Sequence, residues 1–451
     1  MNNLKYFFAF CLGWAFWQCE PATDDFKPSA GNADFSKFVS IGDSYTAGYT
    51  DGALSADGQQ SSFPNIIAGQ LETVGLTGGF KQPLIPEGKS IGSSGNSSYV
   101  LKVGESGLSP EAGIGNVELL SNPENWINSQ APFANVGVPG AKSFHLLTNK
   151  FGDYTLGAGN FNPFYTRFAS NPGTSTVFND AMSNSPTFVS LWIGGNDVLS
   201  YALAGGEATV GGVGTNDITD VTTFDYCIST MFSTLKNAGI EGVTANIPNI
   251  SSLPYFTTVP YNALVISEEQ AVALNAAYAG YNTTAQSNNW PTINFMTGPN
   301  GLVVEDKLGY LRHAVPSDLI LLPALNGIKT EGWGSSVKIG KQYVLDATET
   351  ASINSYTETF NEIIKSKAEE NGLAFVDLNE LLIEIVSTKT IDGVEYSSTF
   401  VSGNVFSLDG IHATPRGYAI IANEFIRAVN QKYGASVPLT NINDYRTNLF
   451  P

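Results

Sequence analysis

The sequence predicts an α/β domain: a parallel sheet with helices packed over both of its faces. Five short apolar runs (38–41, 133–138, 188–193, 243–247 and 373–376) are rich in Val, Ile and Phe, and four of them stop at Gly or Pro. Runs of that length and content suit strands buried on both sides. Helical patterns lie between them, and strands that alternate with helices pair in parallel through crossovers. The chain can also build a large core, with 42% apolar and 12% aromatic residues in 451. That content excludes disorder over most of its length.

In chain order, the first feature precedes the domain. After Lys5, an apolar run of 11 residues (7–17) stops at Gln18-Cys19. A membrane span needs roughly 20 apolar residues, so the run is expected to be the core of a signal peptide covering 1–18. The acidic, polar stretch that follows resembles the tether of a bacterial lipoprotein, with Cys19 as the acylated residue and 19–36 as the tether. The expected location is the bacterial cell envelope, as an outer-membrane lipoprotein that some envelopes export to the surface. Phe16, Trp17 and Gln18 stand where lipoprotein sites usually carry small residues, so plain secretion is the alternative.

The domain is expected over 37–434, with 435–451 as a C-terminal tail. Ser267-Glu-Glu-Gln270 forms a capping box that opens a helix reaching about Gln286. Ile353, Tyr356, Phe360, Ile363 and Ile364 make one apolar stripe, which ends at the C-cap signal Asn371-Gly372. Thr414-Pro415 opens a last helix bearing Ile420, Ile421, Phe425, Ile426 and Val429. Cys227 shares a helical stripe with Phe224, Met231 and Leu235, which suits a small buried residue. As the single cysteine beyond the leader and tether, it forms no intramolecular disulfide framework. Two long excursions, about 75–130 and 250–346, are expected to be insertions that roof a site.

Charge narrows the partners. Asp plus Glu number 41 against 22 Lys plus Arg, a net charge of −19. Phosphate binding needs a local excess of Lys and Arg, so nucleic acid is excluded and anionic headgroups are disfavoured. Membrane contact is expected through the N-terminal lipid alone. The oligomeric state is not legible.

In an open α/β sheet the ligand crevice lies beyond the carboxyl ends of the strands. After the first strand comes Gly42-Asp43-Ser44-Tyr45, after the second Gly137-Val-Pro-Gly140, and after the third Gly194-Gly195-Asn196-Asp197. Near the C-terminus stands Asp409-Gly-Ile-His412. A serine hydroxyl becomes nucleophilic when an imidazole takes its proton, and the imidazole needs a carboxylate to hold its other nitrogen. Two intervening residues let Asp409 and His412 meet across a tight turn. The backbone N–H groups of Ser44 and Gly140 and the Asn196 amide are candidate donors for an oxyanion.

These four segments resemble blocks I, II, III and V of the SGNH (GDSL-type) hydrolases, in order and over nearly the whole mature chain. The resemblance implies Ser44 as nucleophile, with Asp409 and His412 completing the triad, and Ser44, Gly140 and Asn196 forming the oxyanion hole. It also implies a flavodoxin-like three-layer α/β/α fold with about five parallel strands, and ester hydrolysis with no metal and no cofactor. Tyr45 replaces the usual Leu after the serine, and Ala413 the usual Pro after the histidine.

Other motifs compete less well. Gly88-Lys-Ser90-Ile-Gly92 fits the G-x-S-x-G elbow. Pro83, Pro86 and the Gly/Ser run after Gly92 leave it neither strand nor helix, so Ser90 is expected to be a loop serine. Asp51, Ser55 and Asp57 match no calcium loop. Of three histidines, His145 and His313 lack a carboxylate within four residues and are expected in packing or loops, with His313 a candidate pocket residue. Three functions follow: a serine esterase or lipase acting on neutral small-molecule or lipid esters, a polysaccharide O-deacetylase on the same fold, and a non-catalytic surface binding protein. The intact set of site residues disfavours the last. Trp126, Tyr154, Phe161, Tyr165 and Trp333, on the excursions and loops, are candidates to stack on sugars, bury acyl chains, or form satellite cores.

Overall fold

Each of the five apolar runs forms a strand of one sheet: β1 (Phe38–Gly42), β2 (Asn135–Gly137), β3 (Phe188–Trp192), β4 (Glu241–Ala245) and β5 (Ala374–Val376). The computed structural model describes residues 27–92, 95, 97–104 and 107–451, so the leader and Cys19 lie outside the described residues. Pairing is parallel throughout, in the spatial order β5-β4-β3-β1-β2. β4 begins two residues before its apolar run because Glu241 and Gly242 still pair with Phe188 and Val189. Backbone pairing there outlasts the apolar pattern.

Nine helices matter for the layers and the site: α1 (Ser44–Ala47), α2 (Phe63–Leu71), α3 (Gly195–Leu203), α4 (Val221–Asn237), α5 (Glu268–Asn288), α6 (Ala324–Thr330), α7 (Ala347–Asn371), α8 (Leu378–Val386) and α9 (Pro415–Tyr433). α2 packs on α9, where the Phe63 and Phe425 rings lie 4.8 Å apart and both approach Trp192 of β3. α4 packs on α7 through the stacked Phe224 and Phe360 rings, 3.9 Å apart. The sheet between these pairs makes a three-layer α/β/α fold. Its strand order places a switch between β1 and β3, and the loops leaving their carboxyl ends open a crevice there.

The expected caps are present. Ser267 and Gln270 close a capping box on α5, Gly372 ends α7 at φ 76°, and the Thr414 side chain caps α9. Cys227 is buried on α4.

The two excursions differ in build. The first carries an antiparallel hairpin, Tyr99–Gly104 with Gly107–Ala112. The second, 250–346, holds two small cores of its own, one around Leu302, Val304 and Ile339 and one around Tyr278, Ile293 and Phe295. α5 buries only Ala271, Tyr278 and Ala285 and lies mainly in solvent. Residues at the end of the expected tether lie on the domain: Asn32 N–H donates to the Tyr433 carbonyl at 2.9 Å, and Phe35 enters the core. The tail does the same, with the Asn448 amide donating to the Val401 and Phe406 carbonyls. Among the described residues, no helix is long and apolar enough to cross a membrane.

Candidate active site

β1 ends in a turn that only glycine fits. A Cβ on Gly42 would run into the Trp192 carbonyl and the Thr46 hydroxyl. The next residue, Asp43, caps the short α1 by accepting from Tyr45 N–H at 3.0 Å. Ser44 is thereby held at the first position of α1, at the carboxyl edge of the sheet.

The loop 407–413 brings the other partners to it. Ser44 Oγ lies 2.8 Å from His412 Nε2, and His412 Nδ1 lies 2.8 Å from Asp409 Oδ2. A carboxylate only accepts, so Nδ1–H is the donor to Asp409 and Nε2 is left to accept the Ser44 hydroxyl proton. Asp409 Oδ1 accepts from Ile411 N–H, His412 N–H and the Ser407 hydroxyl, and Oδ2 also accepts from Gly52 N–H. Burial alone would raise this carboxyl, but the His412 charge and these hydrogen bonds outweigh it and hold it at about 2. Tyr45 and Tyr49 fix the imidazole, their rings 5.3 and 4.7 Å from it, and Tyr45 O–H donates to the Ile411 carbonyl at 2.5 Å.

The three oxyanion candidates face the same space. Gly140 has φ 79°, in the left-handed region, so the loop after β2 needs glycine to present its N–H. The Asn162 amide braces it by donating to the Pro139 carbonyl at 2.8 Å. Asn196 is the second residue of α3, and its Nδ2 donates to the Ala141 carbonyl at 3.0 Å. Its second N–H has only Asp43 Oδ2 at 3.5 Å among the described residues, the limit of a hydrogen bond. Burial pushes the Asp43 carboxyl up to about 7.

A cavity of about 690 Å³ opens above these groups, lined by Ser44, Gly140, Asn196, Asp409 and His412. Both excursions reach it, the first through Tyr99, Ser109 and Pro110, the second through Tyr255 and the segment 322–329. Phe164, Leu199, Leu203 and Phe400 complete an apolar wall that sequence patterns did not single out. Among the described residues, Lys329 is the one lysine or arginine that lines the cavity.

The other residues that the sequence singled out do not line the cavity, and the reading of Ser90 is corrected. None of Trp126, Tyr154, Phe161, Tyr165 and Trp333 lines the cavity. Trp126 packs edge-on to Tyr154, Tyr165 is buried beside Asp180, and Trp333 lies against Tyr343. His313 is not a pocket residue: Asn294 N–H donates to its Nε2, while Nδ1 bonds the Gly301 carbonyl. His145 stacks on Phe151. Ser90 lies in a two-residue strand against Leu54–Ser55 rather than in a loop, with no helix after it. Ser55 caps a short helix, and Asp57 pairs with Arg446. Among the described residues, no three His, Cys, Asp or Glu side chains cluster to hold a metal ion.

A family model described as GDSL-like Lipase/Acylhydrolase matches residues 38–425. No curated protein matches the chain. Similar solved structures include an α/β hydrolase enzyme from the metagenome of Lake Arreo, Spain (12% identity, 88% of this chain and 96% of that chain covered, TM-score 0.34). An acetyl xylan esterase from Geobacillus stearothermophilus gives 12% identity, 88% and 95% coverage and a TM-score of 0.34. An extracellular lipase from Streptomyces rimosus gives 11%, 88%, 99% and 0.32. Scores of that size carry no weight for fold or function.

Proposed function

The chain belongs to the GDSL-like lipase/acylhydrolase family and is a hydrolase, and on that premise we propose a serine esterase that works through Ser44, His412 and Asp409. The observation that carries this is the unbroken chain of 2.8 Å contacts from Ser44 Oγ to His412 to Asp409 at the floor of the cavity. Ser44 Oγ attacks the ester carbonyl carbon while His412 Nε2 takes its proton. The tetrahedral oxyanion lies against the Ser44 and Gly140 N–H groups and the Asn196 amide. Its collapse breaks the bond to the alcohol, which leaves with the proton from Nε2. Water then gives a proton to His412 and attacks the acyl-enzyme, releasing the acid and restoring Ser44. Asp409 stays ionised and holds the imidazole through Nδ1–H.

Walls of Tyr, Phe, Leu and Pro, with Lys329 the one lysine or arginine among the described lining residues, suit neutral carboxylic esters of short or medium acyl chain, rather than acyl-CoA or anionic phospholipid. On p-nitrophenyl esters of graded length, kcat/KM is expected to rise with each methylene, by about 0.8 kcal/mol at most, until the cavity is full, then fall. Turnover confined to acetylated polysaccharide would move the protein to the O-deacetylase class. A preference for acyl-CoA would contradict the pocket chemistry.

We also propose that Cys19 is acylated and anchors the domain in the bacterial envelope, on the support of the short apolar run that ends there. Cys19→Ser is expected to release the protein from the membrane fraction. An N-terminus cut elsewhere and unmodified, by mass spectrometry of the mature protein, would leave plain secretion.

A further inference from the structure

Asp409 is held from outside its own loop, and the group that holds it is not part of the triad. Residues 50–53 form a two-residue hairpin turn in which Thr50 and Ala53 exchange both backbone hydrogen bonds at 3.1 Å. Asp51 and Gly52 at its tip have φ 52° and 76°, both left-handed, the conformation that Asp-Gly favours in such turns. This turn grips three consecutive residues of the 407–413 loop. Asp51 N–H donates to Ser407 Oγ at 3.0 Å, Leu408 N–H donates to Asp51 Oδ1 at 3.1 Å, and Gly52 N–H donates to Asp409 Oδ2 at 3.0 Å. The Ser407 hydroxyl, placed by the first of these, donates its own proton to Asp409 Oδ1 at 3.1 Å. Two of the contacts on the Asp409 carboxylate therefore depend on where the turn sits. Asp51 and Ser407 are buried, at 9% and 0% exposed, and Gly52 and Asp409 are half-buried. The turn is backed by Tyr99, whose N–H donates to the Asp51 carbonyl at 2.6 Å. On the other side, Arg446 of the C-terminal tail approaches Asp51 Oδ2 at 3.9 Å.

We propose that Asp51 is a positioning residue for the esterase reaction: its carboxylate, by accepting Leu408 N–H, sets the 407–409 backbone so that Asp409 meets His412 in line. This inference rests on the serine esterase reading above. Without the acceptor, a buried N–H loses its partner and the loop can shift to find another. Displacements of about 1 Å in such supports cost up to about 100-fold in rate.

Asp51→Gly removes the carboxylate but keeps a residue at ease in the left-handed turn, whereas Asp51→Asn keeps an acceptor. Two readouts are compared with wild type: the rate at which a fluorophosphonate labels Ser44, and kcat and KM on a p-nitrophenyl ester. Asp51→Gly is expected to slow labelling and kcat roughly 10- to 100-fold with KM within about twofold. Asp51→Asn should stay within about threefold of wild type. A folded Asp51→Gly protein that labels and turns over at the wild-type rate would overturn the proposal, as would Asp51→Asn falling as far as Asp51→Gly. Should Asp51→Gly not fold, Ser407→Ala carries the test, with the same direction expected and an unchanged rate overturning it. If wild type itself neither labels nor hydrolyses esters, the esterase reading fails instead, so the two failures are separable.

Discussion

The floor of the cavity and its walls are built in different ways. The floor groups leave the carboxyl ends of β1, β2 and β3 or the 407–413 loop, and hydrogen bonds to buried backbone brace them on several sides. Much of the wall arrives from 99–110 and 322–329, segments whose packing belongs to a hairpin and to a small core of the second insertion, while Phe164, Leu199 and Tyr255 reach it from the main core. α6 shows the separation: Ala324 and Gly327 pack inward, Gly327 against Trp333, while Leu325 and Lys329 face the cavity. Chemistry that depends on ångström placement is tied to the sheet, and the surfaces that meet the rest of the substrate are hung largely on the excursions, which meet the floor through backbone contacts such as Tyr99 N–H to the Asp51 carbonyl and Tyr255 N–H to the Gly410 carbonyl.

The largest effects should come from the floor. Asp409→Asn leaves a side chain of the same shape but no charge, and His412 then lacks the carboxylate that holds its tautomer. We expect kcat to fall by about 100- to 10,000-fold with little change in KM, read by steady-state kinetics. A loss under about threefold would mean that floor and wall do not differ in kind.

The same variant has a stability signature. Asp409 is held at about 2 in the folded protein against an ordinary 3.8. A lowered carboxyl contributes stability that is present above pH 3.8 and is lost as pH falls through about 2. Its share is about 2 kcal/mol. Acid unfolding followed by circular dichroism should therefore be less steep between pH 4 and 2 in Asp409→Asn. Asp43 acts with the opposite sign: raised to about 7 by burial, it favours folding at low pH and costs stability as pH rises through neutrality.

The smallest effects should come from the walls. Leu325→Trp narrows the cavity and should reduce the kcat/KM ratio of long to short p-nitrophenyl esters by about threefold to tenfold. The melting temperature should stay within a few degrees, because Leu325 is only partly buried beside its small core. A uniform loss for all chain lengths would place this side chain in the machinery instead.

The same division explains what the sequence could be made to tell. The five strands were legible because each is a short run of Val, Ile and Phe that must be buried on both faces. The helix ends were legible because Ser267, Gly372 and Thr414 act locally. The floor was legible too, since Gly-Asp-Ser and Asp-x-x-His place their groups within a few residues of a strand or helix end. The walls were not. Tyr99, Tyr255, Leu325 and Phe400 converge from positions up to 301 apart, through packing that leaves no period or spacing behind. Of the loop aromatics, Trp126 pairs with Tyr154, Trp333 packs on a small core and Tyr165 enters the main core, since packing is the commoner fate of such residues. The Asp51-Gly52 dipeptide did carry a signal, a tight-turn signature, but nothing local tied it to residues 407–409.

The most direct test of the central claim is active-site labelling with a fluorophosphonate, followed by peptide mass spectrometry. Modification is expected on Ser44 alone, with Ser44→Ala unlabelled, folded by circular dichroism and without esterase turnover. A label on Ser90 or any other serine, or undiminished turnover in Ser44→Ala, would contradict the account.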